Sequence, residues 1–322
     1  METPKHVSVV LGGGGAKGFV HLGVLQAILN RGYDIRAIFG TSIGSIIGAL
    51  FAYHFAFLHL PRMPRAEAQQ EAARSVSKLL LKTNFIHFAD ISFSPFRRGF
   101  MKGARFRRFL ETQLLDPREG IMSGIRFSDL KKAIDLHVTI TDAMTGNSVL
   151  CGPADDESPN TFVAAAVRAS MSIQGLFLED KIDYNGQEIL CWDGGVTGNC
   201  RFDLSCAKYP EALTVASSVT YRGDPQALPN SLLMAAFRPL RVADRSADFW
   251  LRQIESLTET LLPAAARERL VIVRPDLAGV RTTSFLISKA KRQTLVRNGC
   301  VAADRELRKY EGNDAVAMDQ KC

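Results

Sequence analysis

Along the first third of the chain, short β-branched runs alternate with longer stretches of helical period. Val7–Leu11 is apolar enough to predict a buried strand; a glycine-rich loop follows, and Gly18–Arg31 has helical apolar spacing. Ile35–Phe39 predicts a second strand, and a second helix opens at Ser42. This strand–helix–strand–helix order implies a mostly parallel sheet covered on both faces, a three-layer α/β/α sandwich. Pro61 to Gln70 is rich in proline and charge and predicts a surface connection. Helical periods follow over Ser75–Lys82 and Ala104–Leu115, then strands at Leu136–Thr141 and Ser148–Cys151. After the polar loop GPADDESPN, the pattern predicts a helix at Thr161–Ala169 and strands at Ile189–Trp192, Leu213–Ser217 and Leu270–Val273. Two longer helices are expected over Phe237–Leu261 and Thr283–Tyr310. With no internal repeat, residues 1–310 form one domain in the economical reading, and the polar tail 311–322 is expected to fray.

One apolar stretch changes that picture if it leaves the core. Ile43–Leu60 runs 18 residues without a formal charge, the lower edge for crossing a bilayer. Its two glycines, serine and two histidines favour a helix buried inside a large domain instead. The apolar run near the N-terminus, VSVVL, is too short for the core of a signal peptide.

Composition adds bounds. An apolar fraction of 46% and a charged fraction of 23% over 322 residues are those of an ordinary globular protein. The net charge of +7 favours anionic surfaces without naming one. Cys151, Cys191, Cys200, Cys206, Cys300 and Cys322 show neither CxxC pairs nor zinc spacing. That usage suits reduced thiols in a cytosol-like compartment.

Three stretches carry candidate chemistry. GTSIG, residues 40–44, fits G-x-S-x-G. A nucleophilic serine there needs a tight strand–turn–helix corner, with Gly40 and Gly44 leaving room for strand and helix to approach. An ordinary helix N-cap serine fits the same five residues. LGGGGAKGFVHLG, residues 11–23, puts four glycines between strand and helix, where backbone N–H groups can form a concavity for a phosphate or an oxyanion. Gly13, Gly15 and Gly18 also fit a dinucleotide fingerprint, but no acidic residue ends the second strand to bind ribose. Lys17 precedes a glycine rather than Ser or Thr, against a Walker loop. In ILCWDGGVTGN, residues 189–199, Asp193 follows an apolar strand and precedes Gly194 and Gly195. Either a protruding carboxylate or a plain Asp-Gly turn accounts for it. None of His6, His21, His54, His59, His87 and His137 lies in the late loop where an α/β-hydrolase carries its base.

Taken in order, GGGxKG, GTSIG and DGG resemble the patatin-like phospholipase family, with GFMKGARFRRFL and VRASMSIQGLF as supporting segments. The resemblance implies a lipid acyl hydrolase with a Ser–Asp dyad, no histidine base, and no metal or other cofactor. It implies Ser42 as nucleophile, Asp193 as general base and the N–H groups of Gly13, Gly14 and Gly15 as oxyanion hole. Lys17, Gly18, Gly40, Gly44, Gly194 and Gly195 would support them. Trp192 and Cys191 are candidates for the apolar setting that raises the Asp193 pKa. An acyl-ester lipid is the implied substrate. A transacylase, or an inactive lipid- or nucleotide-sensing protein on the same fold, stays open as an alternative. Gln174 stands where the family often has proline, and the surroundings of Gly198 and Arg201 also depart.

The basic stretch Arg97–Leu110, with six cations among Phe100, Phe106 and Phe109, suits contact with an anionic membrane. A solvated helix with its phenylalanines on the core fits equally. Nucleic acid has no motif beyond charge. The expected place is the cytoplasm, with peripheral membrane contact.

Overall fold

The computed structural model describes residues 6–88, 90, 99–118, 124–220, 238–282, 284 and 287–312. Its strands are β1 (His6–Leu11), β2 (Asp34–Thr41), β3 (Gly99–Met101), β4 (Asp135–Asp142), β5 (Ser148–Cys151), β6 (Gly175–Phe177), β7 (Asp180–Tyr184), β8 (Gln187–Asp193), β9 (Leu213–Ser217) and β10 (Leu270–Val273). Its helices are α1 (Val20–Asn30), α2 (Ile43–Tyr53), α3 (Arg65–Lys82), α4 (Ala104–Gln113), α5 (Phe127–Leu130), α6 (Val163–Ser170), α7 (Phe202–Lys208), α8 (Arg238–Leu261), α9 (Ala264–Glu268) and α10 (Lys289–Tyr310).

The main sheet has the order β10-β9-β1-β2-β4-β8-β7, with β5 also on β4; β3 and β6 pair separately. From β10 to β4 the neighbours are parallel. At β4 the sheet changes hand: β5 and β8 run antiparallel to it, and β7 antiparallel to β8. The sheet is therefore mixed, parallel in its centre. Successive side chains of a strand face opposite ways, which splits the strands between two cores. Val7, Val9 and Leu11 join the larger core with α1, α2, α3, α6 and α10; Val10, Ala37 and Phe39 meet Phe202 of α7 and Leu262 on the other face.

Every residue of α2 is buried, and the chain continues as a π-helix over His54–His59, so the uncharged stretch is a core element. Among the described residues no helix is long and apolar enough to cross a membrane. Pro61–Gln70 differs from expectation: α3 already starts at Arg65, because Ala68, Ala72, Ala73 and Val76 give it an apolar stripe that one face of the core accepts. Glu311 is not frayed; Tyr33 Oη donates to it at 2.7 Å and Arg31 pairs with it. The rest of the tail, 313–322, lies outside the described residues.

Candidate active site

Three chain segments meet at the C-terminal ends of the central strands. β1 delivers the glycine loop there and β2 delivers Ser42. β8 runs the opposite way, but it reaches that edge from beyond it and overlaps β4 only at its tip, where Asp193 pairs with Ile140. Direction reversal is thus what brings a carboxylate from a late strand next to Ser42.

Ser42 has φ 52° and ψ −122°, a left-handed conformation that a non-glycine residue adopts at a cost. It occupies the N-cap position of α2, yet its side chain makes no capping bond. Its Oγ instead donates to Asp193 Oδ2 at 2.7 Å. The N-cap reading of the sequence therefore fails on geometry. The corner is crowded as the motif demands: a Cβ on Gly44 would stand 2.0 Å from the Leu11 carbonyl oxygen, and one on Gly40 would stand 2.5 Å from Ser45 Cα. The Ser42 N–H donates to Ser170 Oγ at 2.8 Å, and Ser170 Oγ donates to the Thr139 carbonyl at 2.7 Å. Ser170 holds the elbow against β4. Nothing in VRASMS distinguished it from its small neighbours.

Asp193 is almost fully enclosed, and its other oxygen accepts from the Gly195 N–H at 2.7 Å. Burial pushes its pKa up to about 6, against the downward pull of the Ser42 hydroxyl and the Gly195 N–H. Neither donor carries a charge, so desolvation prevails. The expected contribution of Trp192 is corrected: its indole N–H reaches Glu179 Oε1 at 2.9 Å, while Cys191 belongs to the large core. Trp192, adjacent to Asp193 in the strand, points to the opposite side, whereas Cys191, two residues back, shares its face.

In the glycine loop, the Gly12 N–H bonds the Ser217 carbonyl and the Gly13 N–H bonds the Asn199 carbonyl, both at 3.1 Å. An N–H already committed cannot serve an oxyanion, which sets Gly13 aside as a donor. The N–H groups of Gly14 and Gly15 have no hydrogen bond to a described residue. Lys17 is buried, packed near Gly14. Gly18 lies against Ile43 at the start of α2. Gly194 packs on the Thr139 carbonyl.

No histidine touches the pair. His21 is buried, bonding Ser217 Oγ and the Gly12 carbonyl at 2.8 Å each, and burial lowers its pKa to about 4. It ties the root of the glycine loop to β9. In the basic stretch, Arg97 and Arg98 lie outside the described residues, as does the Phe100 side chain. Phe106 is buried and Phe109 packs on the core, while Arg107 bonds Asp180 at 2.5 Å. Lys102, Arg105 and Arg108 are exposed. Among the described residues no cluster of three or more His, Cys, Asp or Glu could hold a metal ion.

The family model for patatin-like phospholipases matches residues 9–204, more than half the chain and all three segments of the site. The chain belongs to the patatin-like phospholipase family. An uncharacterized NTE family protein of Mycobacterium tuberculosis is 30% identical over 197 residues, 61% of this chain and 44% of that protein. The lysophospholipase NTE1 of Pyricularia oryzae is 36% identical over 98 residues, 30% of this chain and 6% of its own length. The chain thus spans less than half the length of these curated relatives. Across its patatin-like fold it also matches the crystal structure of VipD from Legionella pneumophila, with a TM-score of 0.57 and 15% identity, covering 95% of this chain and 67% of VipD.

Proposed function

We propose that the protein is a lipid acyl hydrolase that cleaves an acyl ester through a Ser42 acyl-enzyme, with residues 1–310 acting as one domain. Ser42 Oγ attacks the ester carbonyl carbon while its proton passes to Asp193 Oδ2. The N–H groups of Gly14 and Gly15 take the oxyanion, aided by the N-terminus of α2. Collapse breaks the bond to the alcohol, which leaves with the proton from Asp193. Water then attacks the acyl carbon and gives its proton to Asp193; the bond to Ser42 Oγ breaks, the fatty acid departs, and Asp193 returns the proton to Ser42 Oγ. The observation that carries this reading is the 2.7 Å contact from a strained, non-capping Ser42 hydroxyl to a carboxylate whose pKa stands near 6. A general base works best when its pKa lies close to working pH. Lys102, Arg105 and Arg108 are the cations proposed to meet anionic headgroups, each worth up to about 1 kcal/mol at a membrane.

The test is a fluorophosphonate probe together with a chromogenic acyl ester. Wild type should label and hydrolyse, and Ser42→Ala should do neither, with a loss on the order of 10⁴-fold or more in kcat. A Ser42→Ala protein that hydrolyses at the wild-type rate would refute the nucleophile.

A further inference from the structure

Glu255 lies on α8, beyond the residues matched by the family model, yet it is buried beside the site. Its Oε2 accepts from Ser218 Oγ at 2.7 Å and from Thr220 Oγ1 at 3.2 Å, which docks α8 on the end of β9. Its Oε1 is buried without a partner, and so is Nδ2 of Asn199. One is an acceptor and the other a donor, and both residues line a single cavity of about 360 Å³ between the 197–203 segment and α8. Buried polar atoms left over in complementary pairs call for a link between them.

Asn199 touches both halves of the site. Its carbonyl holds the Gly13 N–H at 3.1 Å. Its Oδ1 is so close to both glycines that an added Cβ would stand 2.6 Å from it on Gly13 and 3.2 Å on Gly195. Gly195 in turn donates to Asp193.

We propose that Glu255 is a positioning residue: its Oε1 takes the Asn199 Nδ2–H, directly or across one bridging water, and so fixes Asn199 against the glycine loop and the Asp193 turn. This rests on the hydrolase reading above. Burial also raises the Glu255 pKa, while the Ser218 and Thr220 hydroxyls and Arg274 favour its ionised form. The unit works as a brace: α8 sets Asn199, and Asn199 sets how Gly14 and Gly15 face Ser42.

Glu255→Met keeps the volume and removes the acceptor; it should lower kcat about tenfold with KM within about twofold, as misplaced donors cost rate rather than binding. Glu255→Gln should stay within about threefold of wild type, since its amide oxygen still accepts and the two hydroxyls can turn to accept from its NH₂. Asn199→Ala should match Glu255→Met, and the double variant should lose no more than the worse single one. Losses that multiply, or a Glu255→Met enzyme with wild-type kcat, would overturn the brace. Amide hydrogen exchange over residues 12–18, measured in a Ser42→Ala background, gives a readout independent of turnover. Exchange should quicken with Glu255→Met and hold with Glu255→Gln; no change with Glu255→Met rejects the proposal. A wild type that hydrolyses no ester would instead reject the hydrolase reading and leave the exchange result standing.

Discussion

Asp193 and Glu157 are both buried carboxylates, one ending β8 and the other closing a short 3-10 turn after β5, yet their surroundings drive them apart. Burial alone would push both pKa values up. At Glu157, His137 Nδ1 lies 2.8 Å from Oε2 and the Lys208 ammonium pairs with Oε1, and the two carry the carboxyl below its ordinary value. His137 is itself stacked on Phe39, with ring centroids 4.3 Å apart, and lies 3.0 Å from Tyr209 Oη, which donates to Asp135. Asp193 has only a hydroxyl and a peptide N–H. A lysine ammonium beside a buried carboxylate holds it charged and pins two segments; neutral donors leave it able to take and return a proton. Burial identifies neither role by itself. The sign of the partners does.

The largest expected contrast is in rate. Asp193→Asn should lower kcat/KM on the order of 10⁴-fold, whereas Glu157→Gln should leave turnover per folded molecule within about twofold. An ester hydrolysis assay on both variants checks it; equal losses would erase the distinction. In stability the contrast reverses. Glu157→Gln removes the charge that Lys208 faces and should cost about 1 kcal/mol in urea unfolding at pH 8, since the lysine of the pair is a third exposed. Asp193→Asn should gain on the order of 2 kcal/mol at pH 8. The folded pKa of Asp193 is raised, so its protonated form stabilises the fold below the unfolded value of 3.8, and that contribution is lost as pH rises through about 6. The gain from Asp193→Asn should therefore vanish near pH 4. An Asp193→Asn protein that melts below wild type at pH 8 would contradict the account of its burial.

The sequence carried the two ends of this comparison unequally. GTSIG and DGG each repeat a shape that steric crowding enforces locally, so Ser42 and Asp193 stood out before any fold was known. Glycine positions were readable for the same reason, since Gly44 against the Leu11 carbonyl leaves no room for another side chain. What stayed hidden depends on pairings far apart in the chain. Ser170 meets Ser42 across 128 positions, and Glu255 meets Ser218 from a separate helix. The commitment of the Gly13 N–H to Asn199 is a fact of one backbone hydrogen bond, which no residue type signals. The antiparallel turn of the sheet at β4 escaped as well. β7 alternates polar and apolar residues weakly, and the first third of the chain is parallel throughout. His137 and Glu157 lie twenty positions apart with ordinary neighbours, and only their shared burial makes them a pair.

The smallest effect sharpens the comparison most. With ionised Asp193 as base, kcat/KM should rise with pH, reach half its maximum near the Asp193 value of about 6, and stay level above. Glu157→Gln should leave that midpoint in place, because Glu157 neither touches Ser42 nor shares a partner with Asp193. Val196 is exposed and three residues beyond Asp193, so Val196→Lys adds a cation near the carboxylate without entering its contacts. A solvated charge at that range should lower the midpoint by only a few tenths of a unit, and the shift should disappear in about 1 M salt. A midpoint that moves up, or one indifferent to salt, would mean that the carboxylate titrating in the rate profile is not the one whose partners are Ser42 and Gly195.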